Sequence, residues 1–325
     1  FGSRARPKSA APFTLQLREQ VEPAAGMEDE LQEVRDNFYV GNFNKALQLC
    51  ESTTASNDVA QSELGATLAR CCLSIPNFGR LQAMQNSDCP GQRAAALMAV
   101  ISKSPKPEQR AQAKERLQAL AKETQDMSCA FLAAVSTALD GSWSDAVQLV
   151  KGHPTLEMQA LSVFFCLCCN QVSTAEKLLG EMAGNNDDSA AFRLASAAVK
   201  LATGDPEEAY LTYCDLCTQF PPGADGDDSG SGSVLLQTGK ALANMQRKMF
   251  TEAVEDLQRA LAMAPNEADV LVNMCCCMTH LGKKEDFQQY YAKLEQVAPT
   301  HPYVVKTQDL KNAFARFKAS QAPAP

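Results

Sequence analysis

The chain has 325 residues, a mass of 35.1 kDa and 30 basic against 38 acidic side chains, giving a net charge of −8. With 45% hydrophobic residues it can bury a large core, and a pI near 5.1 without a basic stretch excludes the clustered cationic surface of a nucleic-acid binder. No run of about 18 uninterrupted apolar residues is present to span a bilayer, and three histidines (His153, His280 and His301) leave little for general acid–base chemistry.

At the start of the chain, Arg4, Arg6, Lys8 and Arg18 stand among Ser, Ala and Pro, as in a transit peptide, but Glu19 and Glu22 break that composition. Residues 1–26 are expected to be a disordered or wrongly assigned extension, with the patterned chain beginning after Met27.

From there a short pattern returns: Gly, an aromatic two residues on, and Ala three residues after that. It reads Gly41-Asn-Phe43-Asn-Lys-Ala46 and Gly141-Ser-Trp143-Ser-Asp-Ala146. Looser copies run from Gly204 to Ala209, Lys248 to Ala253 and Gly282 to Phe287, and around Phe78–Leu81, Pro107–Ala113 and Val172–Ala175. The anchors at 46, 81, 113, 146, 175, 209, 253 and 287 are 29 to 35 residues apart, except for one interval of 44. Gly takes the left-handed conformation that ends a helix. The aromatic is expected to fill the gap between the two helices of a pair, and Ala lets their backbones approach. Pro221, Pro265 and Pro299 each stand twelve residues after an anchor and close the second helix. A period near 34 with these residues is the tetratricopeptide pattern. The fold class is therefore all-α: a tetratricopeptide-like α-solenoid over residues 27–318, a right-handed superhelix of about eight helix pairs.

The long interval has a visible cause. Residues 221–233 form an acidic Gly/Ser segment, expected to loop out between two repeats as a tolerated insertion rather than as a regulatory site at Ser229 or Ser231. Residues 319–325 read as a flexible tail.

In such a solenoid the first helix of each pair lines the concave side, where partners bind. Here Ala130–Val135, Leu161–Cys169 and Val270–Met278 are apolar almost all round. Helices without a polar face must be covered on both sides. Either a closed superhelix or a permanent apolar partner segment supplies that cover. Phe131, Phe164, Phe165, Leu242 and Met274 are the residues that repeat register assigns to the partner groove. A peptide adaptor of the co-chaperone type, the alternative, would need cations there to clamp a terminal carboxylate, and the first helices offer Arg193, Lys200 and Lys240.

Catalytic chemistry finds no footing. The thirteen cysteines, clustered as Cys166, Cys168, Cys169 and as Cys275, Cys276, Cys277, lie in apolar helical runs and read as reduced, buried hydrophobes. Cys214-Asp-Leu-Cys217 lacks the βα context of a redox motif and a second pair for zinc. No phosphate loop, dinucleotide fingerprint or nucleophile elbow is present. No enzyme activity, cofactor, metal or small-molecule substrate is expected.

Two ends of the chain carry a family resemblance. The run Leu31-Gln-Glu-Val-Arg-Asp-Asn-Phe38-Tyr39-Val40-Gly41-Asn-Phe43 resembles the opening of the epsilon subunits of coatomer. Leu271-Val272-Asn273-Met274, His280-Leu281-Gly282-Lys283, His301-Pro302-Tyr303 and Lys311-Asn-Ala-Phe314-Ala-Arg316 are similar to that family's C-terminal motifs. Leu201-Ala202-Thr203-Gly204 and Ala209-Tyr210 add to the likeness, which covers about residues 28–318 and is weak from Val59 to Asp126. The resemblance implies a non-enzymatic subunit of the COPI coat acting in retrograde Golgi-to-ER and intra-Golgi transport. It further implies that the superhelix clasps the C-terminal region of the alpha coat subunit, and that the chain reaches the cytosolic face of Golgi and vesicle membranes indirectly, through partners.

Overall fold

The computed structural model describes residues 29–124, 126–151, 153–184, 188–221 and 233–320. The expected extension at 1–26, almost all of the acidic segment with Ser229 and Ser231, and the last five residues lie outside them. Seventeen α-helices and no strand occur among the described residues.

Sixteen of the helices form eight successive pairs. These are α1 (Gln32–Tyr39) with α2 (Phe43–Ser52), α3 (Asp58–Ser74) with α4 (Phe78–Ala83), and α5 (Pro90–Lys103) with α6 (Pro107–Thr124). They continue as α7 (Met127–Leu139) with α8 (Trp143–Val150), α9 (Leu156–Cys168) with α10 (Val172–Met182), and α11 (Ala190–Thr203) with α12 (Pro206–Gln219). The last two are α13 (Val234–Gln246) with α14 (Phe250–Met263) and α15 (Ala268–His280) with α16 (Lys284–Val297). A single helix, α17 (Pro302–Ser320), follows, and it extends two residues into the segment expected to be a tail.

The repeat pattern maps onto these pairs. All eight anchors fall in second helices; Ala46, Leu81, Ala113, Ala146, Ala175, Ala209 and Ala253 are buried, and Phe287 packs partly buried beside Met274 and Met278. Helices α12, α14 and α16 stop two residues short of Pro221, Pro265 and Pro299, because proline cannot donate a helical hydrogen bond and pushes the residue before it out of the helical region. The aromatic does something different from the expectation in two copies. Phe43 does meet Phe38 within its own pair, edge to face at 5.6 Å. Trp143 instead reaches Phe165 of the next pair at 6.1 Å, and Phe250 stacks on His280 of the next pair at 4.2 Å. It therefore joins repeats as well as helices.

Six first helices end on a left-handed residue, α7 at Gly141 with φ of 83°, and the other five share one hydrogen-bonded turn. Gly41, Gly204 and Gly282 have φ of 86°, 84° and 70°, and Asn170 and Lys248 occupy the equivalent place with φ of 58° and 63°. In each the amide of the following residue bonds back five residues, as in Gly41's turn (Asn42 N–H to the Asn37 carbonyl, 2.9 Å) and Lys248's (Met249 N–H to Asn244, 2.9 Å). A side chain in this conformation is strained by its Cβ. Lys248 is exposed, so Lys248→Gly is expected to raise stability by about 0.5–1 kcal/mol, visible as a shift of roughly 2 °C in thermal unfolding.

The core runs as a chain of apolar clusters, each shared by consecutive pairs. One cluster breaks that order. Val40, from the first pair, is buried among Ala190, Leu194, Tyr213 and Leu236 of the sixth and seventh pairs. Ser233 donates its hydroxyl to the Val40 carbonyl, and Asp36 Oδ1 accepts the Ala190 amide at 3.1 Å, across 193 and 154 residues of sequence. Burial of the Asp36 carboxyl pushes its pKa up, and hydrogen bonds from Gln32 and Ala190 partly offset this. The solenoid thus bends back until its first helix seats on α11, and six pairs enclose a common interior.

Candidate functional site

Arg70 occupies the middle of that interior. It projects from α3, in the apolar run Leu68-Ala-Arg-Cys-Cys-Leu73, and its guanidinium lies 4.4 Å from the Phe38 ring of α1 and 4.2 Å from the Phe131 ring of α7. Both terminal nitrogens bond Glu157 on α9, one of them at 3.2 Å. One side chain therefore ties four first helices, with its charge balanced by a carboxylate and two aromatic rings packed against it.

Above Arg70 opens a cleft of about 680 Å³, lined by α1 and by the N-terminal ends of α3, α7, α9 and α11. Those ends present amides that side chains must cap. Asn57 accepts from the Ala60 amide at 2.9 Å and Asp126 from the Cys129 amide at 3.0 Å. Across the cleft Arg35 holds Glu63 through two bonds of 2.5 and 2.8 Å and also meets Asp29. With Asp29, Asp58, Glu63, Asp126 and Glu157 against Arg35 and Arg70, the lining is acidic. Phe38, Tyr39, Met127 and Leu156 give it an apolar floor, and Val59 stands 78% exposed at its mouth. Thr155 Oγ1 is buried in this wall without a hydrogen-bond partner.

The five residues assigned to the groove by repeat register separate. Met274 is fully buried between repeats, packed with Val270, Cys277 and Met278, and Phe165 is 5% exposed against Trp143. Phe131 is half-buried against Arg70. Phe164, 37% exposed, and Leu242, half-buried, reach the surface. None of the five lines the cleft. What was missed is Arg70 with its partners. Its signal in the sequence is a lone cation in the apolar stretch of a first helix.

Neighbouring repeats supply most of the cover that the all-apolar helices require. On α9, Met158, Val163, Phe165 and Cys166 are buried between α8, α10 and α11, leaving Phe164 and Cys168 exposed. On α15, Val270, Leu271, Met274, Cys275, Cys277 and Met278 are buried.

The cations of the adaptor reading are engaged within the chain. Arg193 bonds Gln219 at 2.8 Å and Asp215 at 3.4 Å, and Lys200 meets Asp205 at 3.2 Å. Lys240 meets the buried Asp256 at 3.3 Å, which Arg259 and Asn244 also bind. The cysteines are free thiols. Burial pushes Cys129 and Cys275 up to about 12 and Cys277 up to about 11, away from the thiolate form that a nucleophile or metal ligand needs. His280, though exposed, stacks on Phe250, and His301 caps α17, its Nδ1 accepting the Tyr303 amide at 3.2 Å.

Comparison with known proteins follows the same lines. A model of the coatomer epsilon subunit family matches residues 27–322. The chain is 24% identical over 299 residues to coatomer subunit epsilon-2 of Arabidopsis thaliana, covering 89% of this chain and 95% of that one. It is 25% identical over 261 residues to the probable coatomer subunit epsilon of Schizosaccharomyces pombe, covering 79% and 83%. Among solved structures it is similar to a chain of the APC/C Cut9–Hcn1 hetero-tetramer (TM-score 0.58, 12% identity, 84% of this chain), of which it spans 53%. It also resembles human IFIT1 (TM-score 0.53, 14% identity, 91% and 78% coverage). These two likenesses concern the helical-repeat fold alone. The chain belongs to the coatomer epsilon subunit family, and its role is that of a subunit of the COPI vesicle coat.

Proposed function

We propose that this subunit is a non-enzymatic clasp that binds and stabilises the C-terminal region of the alpha coat subunit, in retrograde Golgi-to-ER and intra-Golgi transport. It would lie in the cytoplasm and on the cytosolic face of Golgi and COPI-vesicle membranes. The observation that carries the reading is the interior closed by α1 on α11, with a cleft of about 680 Å³ opening from it. A solenoid that returns on itself can surround a protein segment. The cleft has an apolar floor, an acidic wall and an unpaired Thr155 hydroxyl, which suits a segment carrying both apolar and basic or hydrogen-bonding groups. Phe164 and Leu242 extend the accessible apolar surface on first helices.

The test is retention of the alpha C-terminal region by purified subunit. Val59→Glu at the mouth of the cleft, and Phe164→Glu with Leu242→Glu on the helix faces, are each expected to weaken retention about tenfold or more without lowering the melting temperature. Loss with Val59→Glu alone would place the segment in the cleft, and loss with the other pair alone would place it on the helix faces. Full retention by all three folded variants overturns the clasp.

A further inference from the structure

Consecutive pairs are joined by the chain itself. The seam that closes the interior is not: it brings Asp36 to Ala190 and Val40 to Ser233 across 154 and 193 residues. Polar groups are buried along it. Asp36, Ser189 and Ser233 are 8%, 9% and 4% exposed, and Asn42 Oδ1, in the turn that bears Gly41, has no hydrogen-bond partner among the described residues. Such groups lose water on closure and regain it on opening, so parting this seam costs less than parting an apolar one of equal size.

One amide reports on the seam. Ala190 is the first residue of α11, where an amide has no carbonyl partner within its own helix. Its acceptor is Asp36 Oδ1, at 3.1 Å across the seam, and the residue is 1% exposed. Behind the seam, swinging the first pair aside takes Phe38 from Arg70 but leaves Arg70 its contacts with Phe131 and Glu157, so the rest of the interior keeps its form.

We propose that the seam of α1 with α11 and α13 parts reversibly while the helix pairs stay folded, and that the segment held in the interior enters and leaves sideways through it. The second half of this proposal rests on the clasp reading given above; the first does not. A segment with folded structure at both its ends cannot thread a closed ring end-on, whereas a lateral opening admits it anywhere along its length. Each pair in a helical array is held by its neighbours in sequence, so the seam is the place where the ring opens without breaking the array.

The experiment begins with hydrogen exchange of the full wild-type chain alone. Corrected for intrinsic rates, the Ala190 amide is expected to exchange about 100-fold faster than that of Ala95, buried in the middle of α5. A cross-link then tests both halves. A Cβ on Gly41 would stand 3.5 Å from Leu235 Cβ, within the span of a disulfide, and 3.3 Å from Ser233 Oγ. Gly41→Cys with Leu235→Cys is bridged with oxidised glutathione and the bridge located by peptide mapping. The same protein reduced is one control, and wild type treated alike controls for the native thiols. The bridge is expected to slow Ala190 exchange about tenfold or more. Formed before mixing, it is expected to slow uptake of the alpha subunit's C-terminal region about tenfold or more, and formed after mixing to slow release as much. Equal exchange at Ala190 and Ala95, an Ala190 rate that the bridge leaves unchanged, or uptake by the bridged chain at the reduced chain's rate overturns the proposal. If wild type and the reduced chain take up nothing while the bridge still slows Ala190, the clasp reading falls and the parting of the seam stands.

Discussion

Arg70→Ala is expected to lower the unfolding free energy by about 3–4 kcal/mol, read as a fall in the urea midpoint. Two losses combine. The space between the Phe38 and Phe131 rings empties, and Glu157 keeps its charge in a wall where its partner is gone. Arg70→Lys is expected to rescue little, because an ammonium cannot offer a flat face to two rings or a fork to a carboxylate. Arg70→Met with Glu157→Leu removes the uncompensated charge together with the pair and is expected to recover most of the loss. If Arg70→Ala and Arg70→Met alone cost the same as the double change, the pairing with Glu157 contributes nothing, and the arginine acts only as filling.

Gly91→Leu is expected to cost about 3 kcal/mol or more, or to prevent folding at 37 °C. Gly91 lies in the first turn of α5, where a Cβ would stand 2.4 Å from Ala66 Cβ and 3.2 Å from both Ala66 Cα and Ser128 Cβ. Ala66 has no flexible end to swing away, so relief requires α3 and α5 to separate. Gly239 is also close-packed, with a Cβ position 2.3 Å from the Tyr213 ring, but a ring can turn. Gly239→Ala is therefore expected to be the milder change, and soluble yields and urea midpoints of the two variants check the order.

The helix pairs were legible because each repeats a local rule. A left-handed glycine, an aromatic and a small residue at fixed offsets name the turn and the close contact wherever they occur. The interior was not legible, for two physical reasons. Seating Val40 against Leu236 depends on the accumulated curvature of six pairs, which no single repeat encodes. Groove lining depends on rotation about a helix axis, where one residue turns about 100°. Phe164 and Phe165 show the consequence, since adjacent residues of one type lie on opposite sides of the boundary between surface and core. Met274 shows it too, because the all-apolar helix that carries it is covered by its neighbours. Arg70 could have been noticed as a lone cation in an apolar run. Its two rings, one on α1 and one on α7, could not have been.

The closure of α1 onto α11 and α13 also reorders the birth of the molecule on the ribosome. An open array can fold pair by pair as it emerges. Here the first pair meets its final neighbours only after Leu236 has left the exit tunnel, which at 5–20 residues per second is roughly 10–40 s after Val40 has done so. During that interval the apolar side chains of Val40 and Tyr39 have no native cover from the sixth and seventh pairs. A segment made well before its partners is thus seated late, and it is where a chaperone or an early-bound partner would have a long opportunity to act.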